Sequence, residues 1–221
     1  MRKIAIAALI LLVPGLVTAQ GFSNSRAKSW EFSIGAIYQY GDSASGEEGS
    51  SLDVDDAWGL GFNLGYNFND HFALSADFEF LRPDYLAVLV DENDPDNITT
   101  IDHELSQFNG RLKATFNLLE GPLVPYADLG FGWTYLDSNV ADGPPIVGCW
   151  WHPWWGYICD GFYNTFSSTE TSYGGALGLR YEMRGNSFLK LSYNLWVLDV
   201  DTDGRAEPEL ESIRLEWGWR F

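Results

Sequence analysis

The chain has 221 residues, with 31 acidic against 13 basic side chains and a formal net charge of −18. An excess of carboxylates on this scale excludes nucleic acid and anionic surfaces as simple electrostatic partners. Aromatic residues make up 16% of the chain and glycines number 23, which leans towards β structure in a single domain.

The chain opens with Met1-Arg2-Lys3, an apolar run to Val17, and Val17-Thr18-Ala19, the charged, greasy and small-residue parts of a secretory signal peptide over residues 1–19. Cleavage after Ala19 removes Arg2 and Lys3, so the mature domain, residues 20–221, carries 11 bases, 31 acids and a charge near −20. The run from Ile4 to Leu12 is too short for a membrane-spanning helix, which needs about 20 residues, and no later segment comes closer. The chain is therefore either soluble or spans as a barrel. In an exported chain, Cys149 and Cys159 are expected to form one disulfide.

After a polar lead from Gly21 to Lys28, alternation with a period of two sets in. The first predicted strand, Trp30 to Tyr40, puts Trp30, Phe32, Ile34, Ala36 and Tyr38 on one face and Glu31, Ser33, Gly35 and Gln39 on the other. Asp42 to Asp56 is acidic and Gly/Ser-rich and reads as a solvated loop. The second strand, Trp58 to Phe68, sets Trp58, Leu60, Phe62, Leu64 and Tyr66 against Gly59, Gly61, Asn63 and Gly65, and Asn69-Asp70-His71 is a tight turn signal. The third, Phe72 to Leu81, alternates Leu74, Ala76, Phe78 and Phe80 with Ser75, Asp77 and Glu79. Arg82 to His103 is a long excursion whose apolar run, Tyr85 to Val90, could extend a strand beyond a bilayer.

The fourth strand, Glu104 to Asn117, opposes Phe108, Leu112, Ala114 and Phe116 to Gln107, Asn109, Arg111, Lys113 and Thr115. Leu118 to Leu123 turns the chain. The fifth strand starts at Pro125-Tyr126 and sets Leu129, Phe131, Trp133 and Tyr135 against Asp128, Gly130, Gly132 and Thr134. Asp137 to Phe166 is the longest loop. The sixth, Thr171 to Met183, carries Arg180 and Glu182 on its polar phase, and Arg184 to Ser187 is short. The seventh, Phe188 to Leu198, opposes Leu189, Leu191, Tyr193, Leu195 and Val197 to Lys190, Ser192 and Asn194. Asp199 to Pro208 is an acidic loop. The last strand, Glu209 to Phe221, alternates Ile213, Leu215, Trp217, Trp219 and Phe221 with Arg214, Glu216, Gly218 and Arg220.

The result is eight strands with short and long connections in strict alternation. A soluble sheet can alternate in this way, but its apolar face is usually aliphatic; paired tryptophans and a terminal Phe suit a strand facing lipid, with its last aromatics in an interfacial girdle. The polar phase carries Glu31, Asp77, Glu79, Asp128, Glu182 and Glu216 against Arg111, Lys113, Arg180, Lys190, Arg214 and Arg220. A balanced set can pair inside a narrow lumen, whereas an unpaired buried charge costs several kcal/mol. An eight-strand interior is only wide enough for its own side chains, so a plugged lumen is expected.

The closing strand, and Pro125-Tyr126-Ala127-Asp128-Leu129-Gly130-Phe131-Gly132 at the start of the fifth, resemble the small outer-membrane β-barrels of the OmpA/OmpX type. The resemblance implies an all-β, eight-stranded antiparallel up-and-down transmembrane barrel in the outer membrane of a Gram-negative bacterium. Both termini and the short turns would lie in the periplasm and the long loops outside. It also implies that Trp217, Trp219 and Phe221 form the signal read by the barrel-assembly machinery.

Function then rests on the loops. Cys149-Trp-Trp-His-Pro-Trp-Trp-Gly-Tyr-Ile-Cys159 places Trp150, Trp151, Trp154, Trp155 and Tyr157 on a tip closed by the disulfide, a composition found at binding hot spots. The plainer alternative is that these rings pack on one another or on the barrel rim. Asp199, Asp201 and Asp203, followed by Gly204, match the first half of a calcium loop, but Leu210 stands where the bidentate Glu belongs, so a solvated acidic tip is the competing reading. Asp53, Asp55, Asp56, Asp91, Asp94 and Asp96 are secondary candidates for Ca or Mg. No resident cofactor is expected. His71, His103 and His152 are too scattered to pair with a Ser or carboxylate on one strand face, so an enzyme, such as the lipid A-modifying barrels, is not expected. The sequence therefore reads as a monomeric surface barrel contacting outer-membrane lipids, lipopolysaccharide or other surfaces in envelope integrity or adhesion, with a narrow OmpW-like channel for small solutes as the alternative.

Overall fold

The structure, a computed structural model, describes residues 25–45, 51–91, 94–141, 146–152, 156–162, 165–183, 185–199 and 208–221. Every regular element among them is a strand: β1 (Ser29–Gln39), β2 (Asp42–Ser45), β3 (Ser51–Val54), β4 (Ala57–Asn67), β5 (Phe72–Leu81), β6 (Asp84–Asp91), β7 (Asp94–Glu104), β8 (Ser106–Asn117), β9 (Leu123–Ala141), β10 (Ile146–His152), β11 (Gly156–Phe162), β12 (Thr165–Glu182), β13 (Ser187–Asp199) and β14 (Glu209–Arg220). Eight of them close into an antiparallel barrel in the order β1-β14-β13-β12-β9-β8-β5-β4. The seam is well formed: β1 pairs with β14 from Glu31↔Arg220 to Gln39↔Ser212, and Trp30 and Phe221 exchange backbone hydrogen bonds of 2.9 Å each way. A closed ring leaves no unpaired strand edge, the condition for crossing hydrocarbon.

The phases are those of the sequence. Trp58 and Leu60 are each 72% exposed, and Leu129 and Phe131 are 63% and 64% exposed. With the outward rings and aliphatics of every other barrel strand they make an apolar belt far larger than a water-facing surface carries. The short reversals follow from local chemistry. The Asn69 side-chain carbonyl accepts from the N–H groups of His71 and Phe72, both at 2.8 Å. Gly185 and Asn186 sit at φ 84° and 63°, the left-handed pair that a tight hairpin turn requires.

The long connections differ from expectation. Asp42 to Asp56, expected as a solvated loop, forms β2 and β3; in Arg82 to His103 the apolar run Tyr85 to Val90 does form a strand beyond the barrel, β6, which pairs as a hairpin with β7. Together they make a four-stranded sheet, β2-β3-β6-β7, beyond the barrel. The reason lies in the register: Leu52, Val54 and Ile101, too sparse to mark a strand singly, share one face of that sheet with Tyr85 and Ala87 of the apolar run. The longest loop likewise shortens. β9 continues to Ala141, β12 starts at Thr165, and β10 and β11 form a hairpin between them. The signal-peptide reading, Asp201, Asp203, Trp154 and Trp155 lie outside the described residues.

Candidate functional site

Inward residues alternate along every barrel strand, and the lumen they fill is braced from wall to wall. Towards the short-turn end, the Arg180 guanidinium on β12 forks onto Glu31 of β1, Nη1 to Oε2 at 2.8 Å and Nη2 to Oε1 at 2.5 Å, while its Nε donates to Glu182 at 2.7 Å. At mid-height, Arg214 of β14 meets Asp77 at 2.7 Å and Glu79 at 3.0 Å, both on β5, and Glu216 at 3.0 Å. Arg111 pairs with Glu79, and Lys113 lies 3.2 Å from Asp77. The Ser33 hydroxyl donates to the second oxygen of Glu216 at 2.5 Å. Towards the long connections, Gln39 of β1 donates to Gln107 of β8 at 3.1 Å, and Arg111 of β8 stacks over the Trp196 ring of β13 at 4.3 Å.

Each of the ties β12–β1, β14–β5, β1–β8 and β8–β13 joins strands three apart in a ring of eight. They therefore cross the lumen rather than run along its wall. Glycine makes room for them: a Cβ on Gly61 would stand 3.1 Å from the Arg214 Nη2, and one on Gly218 would lie 2.2 Å from the Phe188 ring that covers Arg180 at 3.9 Å.

All of the lumen charges named from the sequence are buried except Glu182, whose side chain is 12% exposed at the short-turn end. Asp128 stands apart from the pairs, with one carboxylate oxygen buried and without a hydrogen-bond partner among the described residues. The sequence reading missed two groups of lumen residues. Tyr126, Phe188 and Trp196 share the inward phase and are at most 2% exposed; the phase of Tyr126 with Asp128, and of Phe188 and Trp196 with Lys190 and Asn194, was the available signal. Arg26, in the polar lead, is 3% exposed and had no periodic signal. It closes the short-turn end, donating to the Asp70 carbonyl at 2.6 Å and the Leu119 carbonyl at 3.3 Å and pairing with Glu182 at 3.3 Å. Asp70 receives the Arg26 backbone N–H at 2.5 Å and the Ser25 hydroxyl at 3.0 Å. Burial pushes the Asp70 carboxyl up, but these donors and the Arg26 charge outweigh it and hold it below the usual carboxylate value.

The opposite end carries the β2-β3-β6-β7 sheet and the β10–β11 hairpin. The sheet is tied to the barrel rim by the Tyr85 hydroxyl donating to the Ser138 carbonyl at 3.0 Å and by the Asn139 amide donating to the Glu104 carbonyl at 2.7 Å. Leu52, Leu86 and Ile98 on the sheet, and Phe166 at the start of β12, are exposed. In the hairpin, Cys149 stands directly opposite Cys159, with Trp150 opposite Ile158 and Trp151 opposite Tyr157.

Among the described residues, no three His, Cys, Asp or Glu side chains converge as metal ligands. Asp199 accepts from the Thr171 hydroxyl at 3.4 Å. Asp56 accepts from the Gly41 N–H at 2.7 Å and the Tyr38 hydroxyl at 2.5 Å, which lower its carboxyl pKa. His71 bonds the Asn117 carbonyl in the short turns at 2.9 Å, whereas His103 and His152 lie on β7 and β10 beyond the other end.

The sequence matches the outer membrane protein beta-barrel domain over residues 6–221. The chain belongs to that family of outer-membrane β-barrels. No curated protein matches it significantly. Among solved structures, this outer-membrane barrel is similar to OprG of Pseudomonas aeruginosa, with 14% identity, coverage of 88% of this chain and 96% of that one, and a TM-score of 0.55. It is also similar to Ail, the attachment invasion locus protein of Yersinia pestis, in complex with the heparin analogue sucrose octasulfate: 16% identity, coverage of 88% and 99%, and a TM-score of 0.51. At these identities the likeness is one of fold.

Proposed function

We propose that this outer-membrane barrel is a closed, non-catalytic anchor whose work is done by its projecting strands, in envelope integrity or adhesion. The observation that carries this reading is the set of salt bridges, the Gln39–Gln107 hydrogen bond and the Arg111–Trp196 stack, which cross the lumen and leave the projecting end as the part free to meet a partner. The termini and short turns face the periplasm and the four-stranded sheet and the β10–β11 hairpin face outwards, in the orientation general to such barrels. The protein is a monomer. A Cys149–Cys159 disulfide staples the hairpin, whose opposed backbone register favours it, and presents Trp150, Trp151, Trp154, Trp155 and Tyr157. Trp217, Trp219 and Phe221 serve the assembly machinery.

Partners are selected by charge. Ail is known with a sulfated sugar bound, but this chain has 31 acidic against 13 basic residues, so polyanions are repelled, and contact with lipopolysaccharide phosphates runs through Ca or Mg held between the two sets of anions, Asp199, Asp201 and Asp203 included. The test is binding of cells displaying the protein to purified lipopolysaccharide and to host-cell surfaces, alongside liposome flux of small solutes. Binding that falls with EDTA or with Trp154→Ala/Trp155→Ala, without flux, supports the proposal. Solute flux without surface binding makes it a narrow channel instead.

A further inference from the structure

The outer wall of a barrel is convex, so a concavity in its lipid-facing belt needs a cause. One lies across β14, β1, β4 and β5, with a volume of about 880 Å³, within the roughly 300–1,000 Å³ of small-ligand sites. The pairing registers show what lines it. One row of outward side chains runs Trp217–Ile34–Phe62–Phe78, and the next runs Leu215–Ala36–Leu60–Phe80. Between them lies the inward row Glu216–Gly35–Gly61–Glu79, which offers only backbone to the outside. The furrow is therefore walled by side chains and floored by main chain. Ala36 lowers the second wall at its centre, and Phe62 and Phe78, stacked at 5.1 Å with planes 27° apart, make the first wall flat.

The furrow is also long. It runs from Leu189 on β13 to Phe108 on β8, five interstrand steps of about 4.8 Å, an arc of roughly 24 Å. Strands in such barrels tilt by about 45°, so a path perpendicular to them climbs roughly 17 Å, comparable to one leaflet of a hydrocarbon core about 30 Å thick. Glu79 and Glu216 contribute no charge to the outside, because their carboxylates are turned inwards onto Arg111, Arg214 and Ser33. The furrow is continuous with the belt that an outer-membrane barrel presents to lipid. A narrow, apolar, leaflet-deep slot in that belt fits one extended hydrocarbon tail.

We propose that this furrow is a fixed binding site for the acyl chain of a membrane lipid, rather than a stretch of wall wetted by exchanging hydrocarbon. Burying apolar surface on two walls and a floor gives a chain there more contact than one lying on the convex wall at Leu129 and Phe131 of β9, the strand opposite β1 in the ring.

The experiment uses the full barrel in nanodiscs containing a phospholipid with a diazirine in its acyl chain; photolysis and peptide mapping locate the adducts. Adducts at Ile34, Ala36, Phe62 and Phe80 are expected to exceed those at Leu129 and Phe131 by about tenfold, the occupancy ratio of a 1.4 kcal/mol preference. Ala36→Trp, which fills the slot from the lipid side without entering the lumen, abolishes the excess, and Leu129→Trp leaves it. Uniform labelling round the belt of the unmodified protein overturns the proposal, whether or not the variants fold. So does an excess that survives Ala36→Trp, or a photodimer showing that a second copy of the chain covers the furrow.

Discussion

Arg214 is the centre of the lumen bracing, and its removal is the sharpest test of whether that bracing stabilises the barrel. Its guanidinium holds Asp77, Glu79 and Glu216 at 2.7, 3.0 and 3.0 Å, and its side chain is 0% exposed. In Arg214→Met the three carboxylates stay buried. Asp77 keeps Lys113 and Glu79 keeps Arg111, whereas Glu216 keeps the Ser33 hydroxyl as its hydrogen-bonded neighbour. Removing one partner of a buried ion pair costs about 3–5 kcal/mol, and the two surviving cations put the expected loss at the lower end of that range. The double variant Arg214→Met/Glu216→Gln removes the stranded charge as well and should recover about 1–2 kcal/mol of it. The assay is urea unfolding in liposomes followed by tryptophan fluorescence, with heat-modifiable gel mobility confirming the folded start. A single variant within about 0.5 kcal/mol of the parent, or a double variant no better than the single, refutes the reasoning.

Asp70 gives a pH-dependent test. Its folded pKa lies below its unfolded value near 3.9, so its contribution is complete above that value and disappears as pH falls through the folded pKa. Asp70→Asn should therefore lose about 0.5–1.5 kcal/mol at pH 7 and match the parent in strong acid; a constant difference at every pH contradicts the latch. On the belt, Leu129→Arg should cost about 2–4 kcal/mol, while Leu52→Arg on the projecting sheet should stay within about 0.5 kcal/mol; equal effects would mean that the belt meets water. Alkylation of the unreduced protein should leave Cys149 and Cys159 unmodified, and Cys149→Ser should lose roughly 2–3 kcal/mol of local stability in the hairpin. Labelling of both thiols contradicts the disulfide.

The barrel was legible because it obeys a period of two throughout. Phe72–Leu81 was read to the residue, and the other barrel strands differ mainly at their ends, because inward and outward positions meet such different surroundings that a one-residue slip would bury the belt and expose the charges. The connections were not legible, because β2, β3 and β7 are stabilised by each other and by β6 rather than by an apolar face of their own. Asp42-Ser-Ala-Ser45 has no strand signal in isolation. Phe188 and Trp196 went unassigned because an aromatic in the polar phase has no composition signal of its own; both fill the lumen. Arg26 was invisible for a different reason: it precedes any alternating strand, and two of its partners, the carbonyls of Asp70 and Leu119, are backbone atoms, which leave no mark on a residue pattern.

Hydrocarbon meets the belt while the braced side chains close the lumen. Planar-bilayer recording of the refolded barrel, its folding verified by gel mobility, tests this arrangement: insertion without a stable conductance step is expected, with steps emerging in Arg214→Met as the bracing loosens. A large, steady conductance in the unmodified protein would contradict it.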